Sequence, residues 1–369
     1  MMKILIGYPY SNYEEEQKKE QYLKILKKAG LKVDGFCLTL DPPNRNLTFK
    51  ELDIRWRRGD KKILSMYKEL IKELDGYDVL LNSVGINLHP EFVSKLPVFT
   101  VFGCFDDPES SEILSKPAAW AYDLCMVGNI AEVDTYIKWG AKNAKYWPIG
   151  FREEDYDPKL SEERILHEKR DIDISLICDY NYIRKERLDK FSSAFPNGAY
   201  YGNGWPNGYI PHKLKVPLYQ RTKIGINFHL STGPINFRTF VLHANGAMLI
   251  CDNKSYLGNI FKLNKEAVGF ETVEEAIELC DYYLENDEDR RKIALAGWKR
   301  TLKEYNQIEV FKIMIKYTKE IMPKIEKHDY GISALLNNKK INKFSSFYEI
   351  LEKLDRNINR IKGKIKKLI

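Results

Sequence analysis

The chain has 369 residues, 44% of them hydrophobic and 30% charged, which suits two cores better than one. No run of about 18 apolar residues occurs to span a membrane. The six cysteines and six histidines lack C-x-x-C, H-x-x-x-H and H-E-x-x-H spacings, which excludes the usual zinc signatures and a disulfide framework. All of the net charge of +7 lies in residues 338–369, which hold ten basic and three acidic residues, so the body is neutral and does not read as a polyanion binder.

Met1–Tyr8 reads as a first strand, too short and too soon broken for a signal peptide. The cysteines read as small buried hydrophobes of a reducing compartment, which points to a soluble cytoplasmic protein. Further strands are predicted at Leu31–Leu38, Tyr77–Asn82, Pro97–Phe102, Tyr122–Gly128 and Ala144–Pro148. Helices are expected at Glu14–Ala29, stopped by Gly30, at Lys61–Leu74 with Asp60 as N-cap, and at Ile130–Trp139. This alternation predicts βαβ units and a parallel sheet in residues 1–150. Polar residues 151–171 read as a linker. Residues 172–330 repeat the pattern, with strands at Ile172–Cys178, Ala199–Tyr201, Thr222–Phe228 and Ala247–Cys251, and helices that include Ile183–Phe191 and Asn236–Ala244.

Ligands of open α/β sheets bind beyond the carboxyl ends of strands, so four loops become candidates. Tyr201–Trp205 carries Gly202 and Gly204, which let a backbone approach a phosphate; with Trp205 packed down it is equally a tight turn. Ile224–Phe240 runs from a strand through His229 to a helix start with Asn236, Arg238, Thr239 and Phe240. Such an end offers free N–H groups to a diphosphate, and Arg238 adds a fork of donors. His229 reads as a donor to a phosphate or sugar hydroxyl, or as a satisfied half-buried histidine; Arg238 reads otherwise as a surface ion pair. Phe102–Glu109 places Asp106 and Asp107 after a strand, where one can act as base toward an acceptor hydroxyl, while Asp107 before Pro108 also suits a helix N-cap. Tyr8, Tyr10 and Ser11 follow the first strand and line the acceptor side, or form a plain βα loop.

Ile224–Phe240 with Leu242–Ile250 resembles the spore-maturation CgeB-like glycosyltransferases, whose pattern is an apolar strand, a loop, N-x-R-x-F-E, a glycine and a second apolar strand. Asp252, Leu257, Phe261, Glu266, Tyr282–Leu284 and Asp289–Gly297 follow at familiar places. Asp106–Pro108, Tyr136 to Ala141 and Tyr201–Trp205 resemble the family upstream. The resemblance implies a GT-B fold: two Rossmann-like domains with parallel sheets facing a cleft, and a nucleotide-sugar donor held mainly by the second. It also implies no cofactor and no metal, and the adjacent Asp106-Asp107 pair after the strand is not a D-x-D. Val241 stands where the family commonly has a glutamate that holds the donor ribose, which admits a non-catalytic member.

The expected activity is transfer of a sugar from a nucleotide donor to a hydroxyl of a protein, glycan or small molecule. Glycosylation of a hydroxymethylated pyrimidine in DNA is an alternative that the neutral body disfavours. A non-catalytic sugar-nucleotide-binding or surface-maturation protein is another. Residues 331–369 read as a basic, helical tail: within 345–369, Phe347, Leu351, Leu354, Ile358, Ile361, Ile365 and Leu368 form a heptad seam suited to internal packing, self-association or an anionic surface.

Overall fold

The computed structural model describes residues 2–10, 12–40, 47–85, 87–233, 236–327 and 331–337. The heptad tail 345–369 and Ser11 lie outside these described residues.

Among the described residues eleven strands form two sheets, both wholly parallel. The first holds β1 (Lys3–Tyr8), β2 (Lys32–Cys37), β3 (Val79–Asn82), β4 (Phe99–Cys104), β5 (Leu124–Val127) and β6 (Ala144–Tyr146), in the order β2-β1-β3-β4-β5-β6. The second holds β7 (Ile172–Ile177), β8 (Ala199–Tyr201), β9 (Thr222–Asn227), β10 (Met248–Cys251) and β11 (Val268–Gly269), in the order β11-β10-β9-β7-β8. In register, Ile4 faces Val79 and Ile224 faces Met248. The central strands are buried on both faces because helices cover both sides, which is why they read as unbroken apolar runs. Their side chains divide by alternation. Leu5, Leu80, Phe102 and Cys125 enter one core of the first sheet, and Ile4, Ile6, Val79 and Leu124 enter the other.

The strand order creates two crevices. The chain leaves β1 for β2 and returns on the other side as β3; it leaves β7 for β8 and returns as β9. Loops diverge at each reversal, so the carboxyl ends of β1/β3 and of β7/β9 stay open to a ligand.

Local chemistry sets the helix ends. Asn12 accepts from Glu15 N at 3.0 Å to start Tyr13–Lys28, and Gly30 at φ +81° ends that turn. Asp60 Oδ1 accepts from Lys62 N and Ile63 N at 2.9 and 3.3 Å, as expected of a cap. Several helices escaped the sequence reading, two of them of nine or more residues. Phe49–Arg57 begins with a capping box between Thr48 and Glu51, and His212–Arg221 contains Pro217, which reads as a breaker. The expected helix at 236 starts at Arg238, and the one at 183 starts at Lys185.

Residues 151–171 are packed rather than free. Phe151, Leu160, Ile165 and Arg170 are all buried, and Arg170 donates to the carbonyls of Tyr219, Thr222 and Asn245. The helix Gln307–Ile321, grouped by sequence with the second half, returns to the first. Val310, Phe311 and Met314 join the core of Ile4 and Ile6, and Trp147 Nε1 donates to the Val310 carbonyl at 2.9 Å. Beyond it Lys327 pairs with buried Asp123 at 2.6 Å, and Ile332 and Leu336 pack on the opposite core.

Candidate functional site

At the β7/β9 crevice Asn227, fully buried at the end of β9, organises the sequence-predicted residues. Its Nδ2 donates to Asn236 Oδ1 at 3.0 Å and Thr239 Oγ1 at 3.2 Å. Its Oδ1 accepts from Asn236 Nδ2 at 3.2 Å and Arg238 Nε at 2.8 Å. Arg238 also donates through Nη1 to the Ile177 carbonyl at 2.9 Å and through Nη2 to the Phe228 carbonyl at 3.4 Å. Three of its five N–H groups thus brace strand ends, and two are left for a ligand. It is an internal brace at the crevice, not the surface ion pair weighed from sequence. Phe240 is a correction: it is fully buried against Tyr305 and Phe261, ring centroids 5.0 and 6.0 Å away, and cannot touch a donor. Thr239 is likewise buried and faces Asn227.

Two arginines that the sequence reading missed share this edge. Arg184 donates to the carbonyls of Phe228 at 3.0 Å and Asp179 at 2.6 Å, while its buried Nε has no protein partner. Burial, with Arg238 and Arg187 close by, pulls its pKa below the usual arginine value. Arg187 donates to the His229 carbonyl at 2.8 Å and to Asp252 Oδ2 at 3.3 Å. A legible signal existed: two arginines three residues apart at the start of the helix after β7.

His229 lies beneath the edge. It is 2% exposed, with Nδ1 2.5 Å from Asp252 Oδ1, backbone N donating to Asp252 Oδ2 at 2.7 Å, and Nε2 3.5 Å from Asn227 Nδ2. It is the satisfied histidine rather than a ligand donor. Burial works to raise the Asp252 carboxyl, but the His229 ring and its two bonds, with Arg187, outweigh it and hold the carboxyl below the usual range. Cys251 joins this pair to bring three ligand-type atoms within 4.8 Å. Here His229 Nδ1 is bonded to Asp252, and burial pushes the Cys251 thiol well up from its ordinary value.

The glycine loop is built for close packing. A Cβ on Gly202 would lie 2.2 Å from the Cys178 carbonyl oxygen, and one on Gly204 would lie 2.9 Å from that of Tyr180. Its N–H groups are partly committed, since Gly202 N donates to Gly208 O and Asn203 N to Asp179 Oδ1. Trp205 is buried, stacked on Tyr200 and donating to the Cys178 carbonyl at 2.8 Å, as the tight-turn reading requires.

At the β1/β3 crevice a cavity of about 780 Å³ opens. Tyr8, Ser83 and Asp106 line it from the ends of β1, β3 and β4, and Phe237 and Arg152 close it from the other side, the guanidinium 5.1 Å from the Phe237 ring centre. Tyr10 sits beside Tyr8, its backbone N–H and carbonyl both bonded to the Thr39 hydroxyl. The two adjacent carboxylates separate here. Asp107 is 1% exposed, its carboxylate taken by the Tyr136 hydroxyl and by Ser111 Oγ at 3.1 Å. It therefore does not point into the cleft as expected, nor does it cap a helix. Asp106 is exposed to the cavity, where partial desolvation of its carboxyl, then the charges of Asp107 and Glu109, raise its pKa above the usual carboxylate value. Phe237 directly precedes Arg238, so the two crevices meet.

Residues 184–314 match the family model described as glycosyl transferase-like. Over nearly the whole chain the structure is similar to sucrose-phosphate synthase from Thermosynechococcus elongatus, at 12% identity and a TM-score of 0.61, covering 88% of this chain and 100% of that one. It is similar to a glycosyltransferase from Rickettsia africae, at 14% identity and a TM-score of 0.59, covering 88% and 99%. HepE of Anabaena, in complex with UDP, aligns at 10% identity and a TM-score of 0.56, covering 86% and 100%. At these identities the likeness shows the fold, which is the GT-B arrangement of two Rossmann-like halves facing a cleft. No curated protein matches the sequence.

Proposed function

We propose that this chain is a glycosyltransferase that moves a sugar from a nucleotide donor to a hydroxyl-bearing acceptor. The observation that carries the reading is the pair of crevices that meet at Phe237 and Arg238, one lined by arginines and the other by a carboxylate. The family-model match over residues 184–314 and the UDP held by HepE support a donor site in the second half.

In this reading the donor diphosphate lies across the ends of β7 and β9, reached by the free N–H groups of Arg184 and Arg238. Fixed cationic donors stabilise the charge that grows on the diphosphate as its bond to the sugar breaks. Asp106 accepts the proton of the acceptor hydroxyl as its oxygen bonds to the sugar carbon; a raised carboxyl suits that role. No metal takes part, and the order of motifs over residues 219–300 supports a CgeB-like member. Six free cysteines suit a cytoplasmic site of action.

A second reading, a sugar-nucleotide-binding protein without turnover, is favoured by Val241, which is buried in an apolar cluster where the family has its ribose-binding glutamate. Calorimetry with UDP, GDP and dTDP, together with hydrolysis of a panel of nucleotide sugars, decides between them. Binding with turnover supports the transferase. Binding without turnover supports the second reading, and failure to bind any nucleotide overturns both.

A further inference from the structure

The cavity at the β1/β3 crevice carries information about the acceptor. Its wall is mostly apolar and aromatic: Tyr22, Phe105, Ile113, Trp147, Phe237 and Phe311 all face it. Several are only partly covered by protein. Ile113 is 52% exposed and Phe237 36% exposed, and both border one cavity, so together they form an apolar rim that a ligand can cover. Its charged residues balance among the described residues: Glu15, Asp106 and Glu154 against Lys18, Lys19 and Arg152. Three of each sign give no net field for a polyanion, whose binding rests on an excess of cations. A cavity of about 780 Å³ is the size of a small-molecule site. Asp106 is placed at the end of β4, on the same wall as Phe105 and Ile113.

We propose that this cavity is the acceptor site, and that its acceptor is a small neutral molecule carrying its reacting hydroxyl on an apolar or aromatic body. The proposal rests on the transferase reading above. The apolar body lies against Ile113, Trp147 and Phe237, and the hydroxyl is turned to Asp106. Burying that body supplies the affinity, and the Asp106 carboxylate supplies the orientation.

Methyl and octyl β-glucoside test it, since they share every hydroxyl and differ only in alkyl length. Binding is followed by the fluorescence of the protein, because Trp147 stands in the wall. Octyl glucoside, kept below its micelle-forming concentration, is expected to bind about tenfold more tightly or better. Ile113→Asp and Phe237→Ala, both at partly exposed positions, should each reduce that preference to about threefold or less, and Ile113→Asp, remote from Arg238, should keep UDP affinity within about twofold. Equal binding of the two glucosides, or a preference that survives both substitutions, overturns the proposal. So does displacement of octyl glucoside by a DNA duplex with a steep salt dependence. If wild-type protein binds none of UDP, GDP and dTDP, the transferase reading falls, while the glucoside comparison, made without nucleotide, still decides what the cavity holds.

Discussion

Asn129 of the first half donates its Nδ2 hydrogens to the Thr232 carbonyl of the second at 2.8 Å and to the Asp107 carbonyl at 3.3 Å. Its Oδ1 sits so close to Gly233 that a Cβ there would lie 1.9 Å away. This contact ties the loops beyond β5 and β4 to the loop beyond β9. Asn129→Ala should therefore lower stability by about 1–2 kcal/mol, the worth of one or two buried hydrogen bonds. Small-angle scattering should show a wider spread between the halves, with UDP affinity kept within about twofold. Unchanged scattering and an unchanged melting temperature would show that the contact does not hold the cleft.

Replacing Asp106 with Asn should cut transfer by about two to four orders of magnitude, the usual size of general-base catalysis, with little effect on UDP affinity. Its pKa is raised in the folded state, so the fold binds this proton more tightly than the unfolded chain does. Stability then falls as pH rises from the unfolded value, about 3.9, through the raised one. The same substitution should consequently raise the melting temperature at pH 7 only slightly, because solvent screens this exposed carboxyl, and the gain vanishes below pH 3. An Asp106→Asn variant with full activity would remove Asp106 as the base.

Arg238 and Arg184 should differ in what their loss costs. Arg238→Ala removes the brace between Ile177, Asn227 and Phe228, so both melting temperature and UDP affinity should drop. Arg184→Gln leaves that brace in place. Its main effect should be a loss of about 1.5–3 kcal/mol of UDP affinity, the range for a hydrogen bond to a charged group. Calorimetry and thermal melts on the two variants separate these effects, and equal UDP affinity in wild type and Arg184→Gln would refute the donor assignment.

Asp123 is fully buried with Lys327 at 2.6 Å and Lys142 at 3.0 Å. Burial tends to raise its carboxyl, but Lys327, backbone Thr100 and Lys142 together lower it. A lowered carboxylate contributes stability that is complete above the unfolded value, about 3.9, and is lost as pH falls through the folded value. Lys327→Met should cost about 1–3 kcal/mol at pH 7, because a buried charge loses one partner. The deficit should shrink on acidification; a deficit that is constant from pH 7 to pH 2 would show that the lysine acts by packing alone.

Transfer, where present, should persist in EDTA, and added zinc should not raise the melting temperature through His229, Cys251 and Asp252. Restoration of EDTA-inhibited activity by magnesium or manganese would count against this.

Much of the fold was legible because its signals are local. Alternating apolar runs and capped helices reported the βαβ units, and Asp60, Gly30 and Asn12 act where their chemistry says they should. The β7/β9 crevice was read in part: Asn236, Thr239 and Arg238 do converge, but on Asn227, a residue that looked like a plain strand end. Phe240 was misassigned because a helix start brings both edge and core residues, and only packing tells which way each points. Arg184 was missed because its role depends on Phe228, 44 positions away in sequence.

By itself, the sequence determined the parallel α/β halves and the neighbourhood of both crevices. These follow from periodicity, turn chemistry and residue type, all short-range properties. Tertiary structure alone decided that Asp106 faces the cavity while Asp107 is locked to Tyr136 and Ser111, that His229 is held under the edge by Asp252, and that the helix Gln307–Ile321 crosses back to the first sheet. The reason is physical: neighbouring carboxylates share one local chemistry, and which of them meets a ligand depends on strand order and on side chains packed from distant segments of the chain.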